Sequence, residues 1–171
     1  MKKQNGFTLI ELVIVIIVLG ILAATAVPKF INLQDHERIA EMNDVQAELH
    51  SAANIVYSKS VIDGTEKLKT TYKPPIPKVE DIKISYGFPT ATAEGIVKAL
   101  KLSGFTAKFP MDPLQIGRVK NISFVLEGEF APGDYCIKYT EANTNKAYFI
   151  EKGKVNSTAI ACRTDKVNGN W

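Results

Sequence analysis

The stretch Gly6-Phe7-Thr8-Leu9-Ile10-Glu11 runs without a break into an apolar segment that ends at Val27 and Pro28. From Phe7 to Val27 the residues are apolar or small, with one charge, Glu11. As an α-helix, roughly 21 residues at about 1.5 Å each extend about 31 Å. That matches a bilayer core of about 30 Å. The carboxylate sits about one turn in from Phe7, where a charge costs about 2.5–3.5 kcal/mol on insertion scales. An anchor with no other task would be better served by Leu. The apolar run is also too long for an ordinary signal peptide.

The leader Met1-Lys2-Lys3-Gln4-Asn5-Gly6 is short, basic and polar. Its two lysines flank the span on the N-side, which puts the N-terminus in the cytoplasm and the rest of the chain beyond the inner membrane. Cleavage after Gly6 would create an α-amino group on Phe7. An amine and a carboxylate about four residues apart in low dielectric each need a partner of opposite sign. They can pair within one chain, or Glu11 of one subunit can meet the Phe7 amine of the next.

The run Gly6-Phe7-Thr8-Leu9-Ile10-Glu11-Leu12 resembles the class III leader and methylation site of the type IV pilin superfamily. The resemblance implies cleavage between Gly6 and Phe7 by a prepilin peptidase, followed by N-methylation of Phe7. It implies that Glu11 neutralises a neighbour's N-terminus. It also matches Gly20 and Pro28 to the pair that brackets a locally melted piece of helix in assembled filaments. That last point agrees with propensity, since Gly costs about 1 kcal/mol in a helix and Pro about 3. Four later stretches, around Pro28–Asp35, Val56–Lys59, Tyr86–Ala93 and Gly133–Cys136, are similar to the mannose-sensitive haemagglutinin pilins, a type IVa branch. They imply a subunit of a thin surface filament used in attachment and biofilm formation. The implied partners are further copies of the chain, an assembly platform and a cytoplasmic motor.

The chain has 171 residues and a net charge of +3, of which Lys2 and Lys3 supply two. That surplus is too small to argue for nucleic acid. Once leader and span are set aside, one modest soluble domain remains. Cys136 and Cys162 both fall in that outer part, and an even count in an oxidising compartment reads as one disulfide. Its loop of about 26 residues is worth roughly 3–4 kcal/mol in the chain-entropy account.

Beyond Pro28, apolar residues recur at Met42, Val45, Leu49, Ala52 and Val56, steps of three and four that define one face of an amphipathic helix. Asp35, Glu37, Arg38, Glu41, Asp44 and Glu48 occupy the opposite face. Gly64 ends the helix region. Thr65 to Val79, with Pro74, Pro75 and Pro77, reads as a surface loop, and Tyr86-Gly87-Phe88-Pro89 as a turn. A short helix fits Ala93 to Leu102, with Thr92 as N-cap and Gly104 as stop. Pro110 and Pro113 mark another irregular stretch. Alternation then predicts strands over Val119–Glu127, with Ile122, Phe124 and Leu126 inward, and over Tyr135–Thr140. Glu141 to Lys146 reads as a hairpin loop, Ala147 to Ile150 as a strand, Lys152-Gly153-Lys154 as a turn, and Val155 to Cys162 as the last strand.

The predicted fold is α+β, with one long N-terminal helix packed on a C-terminal antiparallel sheet of three or four strands. The chain divides into a leader (1–6), a transmembrane and filament-core helix (7–28), its amphipathic continuation (29–60), a connecting region with a short helix (61–118) and the sheet with its disulfide-bounded loop (119–171). There is no Walker loop, no G-x-G-x-x-G and no zinc spacing, so no catalysis, cofactor or metal is expected. His36 and His50, fourteen residues apart on the helix, read as solvated or subunit-contact residues. Asn121-Ile122-Ser123 and Asn156-Ser157-Thr158 are chance sequons. Lys152, Lys154, Arg163 and Lys166, with Tyr135, Tyr139, Tyr148 and Trp171 nearby, could bind nucleic acid. The simpler reading is a solvated sheet edge blunted by lysines. The expected function is a structural subunit of an extracellular adhesive pilus, held in the inner membrane before assembly. The alternatives are the major pseudopilin of type II secretion and a DNA-binding minor pilin.

Overall fold

The computed structural model describes residues 7–70, 74–101, 103–109, 121–128, 130–156 and 162–164, with side chains at all of these but 31 and 32. Gly6, Pro110, Pro113, Lys166 and Trp171 lie outside the described residues. The chain divides into two compact units, Met1–Arg38 and Ile39–Trp171.

The first unit holds the N-terminal part of helix α1 (Leu9–Ile62), which contains Pro28. This is the one described helix long and apolar enough to cross a membrane. Its side chains are open to the surroundings: Leu9, Ile10, Leu22, Phe30 and Leu33 are all exposed. No described residue encloses them.

The second unit is built where α1 becomes amphipathic. The predicted stripe is the one that packs: Met42, Val45, Leu49, Ala52 and Val56 are buried, joined by Ala53. Most of the stripe forms a core with Ile122, Phe124, Leu126, Ile137 and Tyr139 from the sheet, while Val56 packs with Val79 and Ile84. The helix ends at Ile62, and Gly64 follows at φ +67°, a left-handed conformation that suits glycine.

The main sheet has five antiparallel strands in sequence order: β4 (Phe105–Lys108), β5 (Asn121–Leu126), β6 (Tyr135–Thr140), β7 (Phe149–Val155) and β8 (Cys162–Arg163). A smaller sheet joins β1 (Lys78–Val79), β2 (Ile82–Ser85) and β3 (Phe88–Pro89). The residues read as a turn, Tyr86 and Gly87, connect β2 to β3 with φ of +51° and +78°. Two positive φ values in a two-residue loop match the twist of a hairpin.

Three expectations are corrected. The segment Lys152-Gly153-Lys154 is no turn; it lies inside β7, opposite Ile137, Cys136 and Tyr135. Glycine is there because a Cβ at 153 would collide with the Arg163 carbonyl of β8. The helix placed at Ala93–Leu102 starts as a short π-helical piece, α2 (Ala93–Val97), broken by a non-helical Gly95. Thr92 makes no side-chain cap; its hydroxyl pairs with that of Thr90 at 2.8 Å. A Cβ at Gly95 would strike Thr90, so the chain must bend there. The main sheet has five strands rather than three or four, since β4, ahead of Pro110, pairs with β5 from Phe105↔Leu126 to Lys108↔Ser123. Residues Ile122, Phe124 and Leu126 do face the helix, but Ser123 and Val125 on the other parity are buried too.

Candidate assembly and clasp sites

The N-terminus of α1 is closed by a reciprocal cap. Glu11 Oε2 accepts from the Thr8 amide at 2.9 Å and from the Thr8 hydroxyl at 2.6 Å, and the Glu11 amide donates to Thr8 Oγ1 at 3.4 Å. This is the capping box of T-x-x-E, which satisfies helix amides that have no partner one turn earlier. Its sequence signal is Thr8 three residues before Glu11, inside a run whose hydropathy makes Glu11 stand out as a lone charge. Only Oε2 is engaged among the described residues. Phe7 stands 85% exposed beside it. Gly20 is open on every side, with no atom within 4 Å of where a Cβ would sit. The Gly20–Pro28 segment is helical here.

The second site is covalent. Cys136 on β6 is joined to Cys162 on β8, with Cα atoms 5.8 Å apart. Both cysteines are buried with Val125 and Val155, and Phe130 packs against them. Strand β8 contributes only two register pairs, Lys154↔Arg163 and Val155↔Cys162. So short an edge is weakly held by hydrogen bonds, and the disulfide fastens it to the strand beyond its neighbour.

Among the described residues, several of the basic and aromatic residues of the C-terminal half are tied into the fold. Tyr139 is fully buried and its hydroxyl donates to the Pro89 carbonyl at 2.8 Å. Burial pushes its phenol well above the ordinary value, with the charge of Glu141 adding to the shift. Lys154 lies over the Tyr135 ring, 4.7 Å from its centre. Lys152 reaches Asn43 on α1, and Lys138 pairs with Glu151 at 2.7 Å. His50, the histidine placed on the helix surface, has Nδ1 2.8 Å from the Tyr148 hydroxyl. Tyr148 in turn packs with Phe88 and Tyr139. His36 is exposed. Asn121 of the first sequon is half-buried in β5, opposite Thr140.

An exposed apolar helix with a capped N-terminal carboxylate, ahead of an antiparallel domain, defines a class of helix-anchored structural subunits rather than enzymes. The prokaryotic N-terminal methylation motif matches residues 1–27. The fimbrial protein EcpB of Eikenella corrodens is 53% identical over 58 residues, 34% of this chain and 35% of that one. Core protein G of the type II secretion system of Pseudomonas aeruginosa is 34% identical over 118 residues, 66% of this chain and 69% of that one. Its counterpart in Aeromonas hydrophila is 28% identical over 143 residues, covering 78% and 90%. The chain thus spans about a third of the fimbrial relative and most of both secretion proteins. No solved structure matches. The chain belongs to the family of type IV pilins and type II secretion pseudopilins, and is a structural subunit.

Proposed function

We propose that the chain is the repeating subunit of an extracellular adhesive filament of the mannose-sensitive haemagglutinin kind. Prepilin peptidase cuts between Gly6 and Phe7, Phe7 is N-methylated, and the subunit waits in the inner membrane with its C-terminal domain outside. An assembly platform and a cytoplasmic motor then draw it into the fibre. The observation that carries this reading is the apolar surface of α1 from Leu9 to Val27, where every large apolar side chain is exposed and Glu11 is the one charge. A lipid bilayer satisfies the apolar part, and a bundle of identical helices satisfies it as well. In this reading Glu11, whose Oε2 alone is engaged among the described residues, meets a neighbour's amine. Among the described residues nothing beyond the helix itself packs against Gly20, and in this reading its use belongs to the assembled state, where with Pro28 it lets the helix loosen.

The secretion piston is a second reading, because the relatives matched over most of their length are core proteins G. The disulfide favours the fibre: a covalent clasp on a short edge strand suits a domain that meets shear outside the cell. An N-terminal mass determination on material sheared from cells separates the two. The expected result is a chain starting at methylated Phe7 in sheared fibres. The same cleaved chain found solely in the inner membrane would favour the piston. An intact Met1 would overturn the processing at Gly6 and the pairing built on Glu11.

A further inference from the structure

Among the large apolar side chains described in the second unit, Ile62 is the most exposed, at 83%. It is the last residue of α1, with Val61 and Leu68, both exposed, near it in the chain. The adjoining Asp63 is exposed with no ion pair among the described residues. Elsewhere on the same unit lies an open apolar cavity of about 80 Å³ lined by Val97, Leu100, Phe105, Ala107 and Phe124. Lys101 and Lys108 adjoin its lining in the chain; both are exposed, and Lys101 has no ion pair among the described residues. An apolar knob beside a carboxylate and an apolar hole beside an ammonium, neither ion-paired among the described residues, are complementary in polarity and charge.

We infer that these two surfaces are the two halves of one joint between copies of this chain: Ile62 of one subunit enters the Val97–Leu100–Phe105–Ala107–Phe124 cavity of the next, with Asp63 facing Lys101. The knob and the hole are different parts of one chain, so the contact is heterologous. A contact of that kind does not close on itself by a two-fold and propagates as a ring or an open helical polymer. The inference rests on the filament reading above and adds to it a joint between outer domains, separate from the contacts of the apolar helices. Burying Ile62 removes apolar surface from water at both sides of the contact, and the charged pair at the rim sets the register.

The test uses the full chain in cells, with fibre yield read from sheared material and membrane-held subunit measured in parallel. Ile62→Asp is expected to lower fibre yield at least tenfold with subunit level and disulfide unchanged, and Ile62→Leu to keep it. Asp63→Lys is expected to reduce yield and Lys101→Asp in the same chain to restore it. As an independent reading, Ile62→Cys with Leu100→Cys treated with a short bismaleimide is expected to give a ladder of multimers from fibres, the native cysteines being buried and paired. Normal fibres from Ile62→Asp, or fibres of the double-cysteine chain that give no ladder, overturn the joint and leave the filament reading standing. A wild-type chain that forms no fibre overturns both.

Discussion

At the residue scale, Tyr139 and Glu11 each serve a bond that no neighbour can replace. The Tyr139 phenol is raised by burial, so the folded chain holds its proton where the unfolded chain releases it. Above the ordinary value of 10 the unfolded state therefore binds fewer protons, and stability falls as pH rises, by at most about 1.4 kcal/mol per pH unit. Denaturant melts of the detergent-solubilised chain from pH 8 to 11 should show that decline. Tyr139→Phe should cost about 1 kcal/mol at pH 8 by stranding the Pro89 carbonyl, and should flatten the alkaline slope. An unchanged slope would assign it to another group. Glu11 has two candidate tasks, capping and assembly, and Thr8 separates them. Thr8→Ala removes the hydroxyl side of the box, worth about 0.5–2 kcal/mol to the helix start, but leaves the carboxylate. Fibres should persist in Thr8→Ala and disappear in Glu11→Ala, with membrane insertion intact in both. Equal loss in the two variants would make capping the whole role of Glu11.

At the scale of elements, the outcome for each segment follows from how many residues carried its period. The α1 stripe from Met42 to Val56 offers five apolar positions at helical spacing, and each of them is buried. Strands β5 and β6 have six residues each, enough for alternation to be read. Strands β1, β3 and β8 have two each, and two residues carry no period. Strand β4 was hidden for a different reason: the prolines that follow it gave the region an irregular look. In β7 the Lys-Gly-Lys run reads locally as a turn, yet the glycine answers to β8, the neighbouring strand in the sheet, through Arg163. That contact yields a prediction. Gly153→Ala would push β8 off β7 and misalign Cys162 with Cys136, so thiol alkylation without reductant should label a fraction of the mutant chain and none of the wild type. Clean closure of the disulfide in Gly153→Ala would mean that β8 can shift without cost. Of the candidate assembly residues, Glu11 is singled out in the sequence because a charge in an apolar run stands out. The Thr8 cap was missed because its hydroxyl lies inside a run read only for hydropathy.

At the scale of the whole molecule, the demands of folding and of assembly fall on different residues. The core of the second unit closes on itself: Leu49 is wholly buried among Met42, Ile122, Phe124 and Ile137. Among the described residues the large apolar side chains of the first unit have no such enclosure; in the proposed function, lipid or other copies bury them. Substitutions should therefore sort into two phenotypes. Leu49→Ala removes three buried carbons and leaves a cavity, a loss of about 2–5 kcal/mol, a large share of the stability of a domain this size. Unfolded chains outside the inner membrane are exposed to proteolysis, so Leu49→Ala should lower subunit abundance and fibre yield in the same proportion. Removing both cysteines, which forfeits roughly 3–4 kcal/mol in the loop-entropy account, should do likewise. Glu11→Ala and Ile62→Asp touch no buried contact, and should lower fibre yield while abundance stays at the wild-type level. Immunoblots of membrane and sheared fractions from one culture measure both quantities together. If Leu49→Ala left abundance intact but abolished fibres, the domain core would itself be part of the assembly surface, and the separation of the two demands would fail.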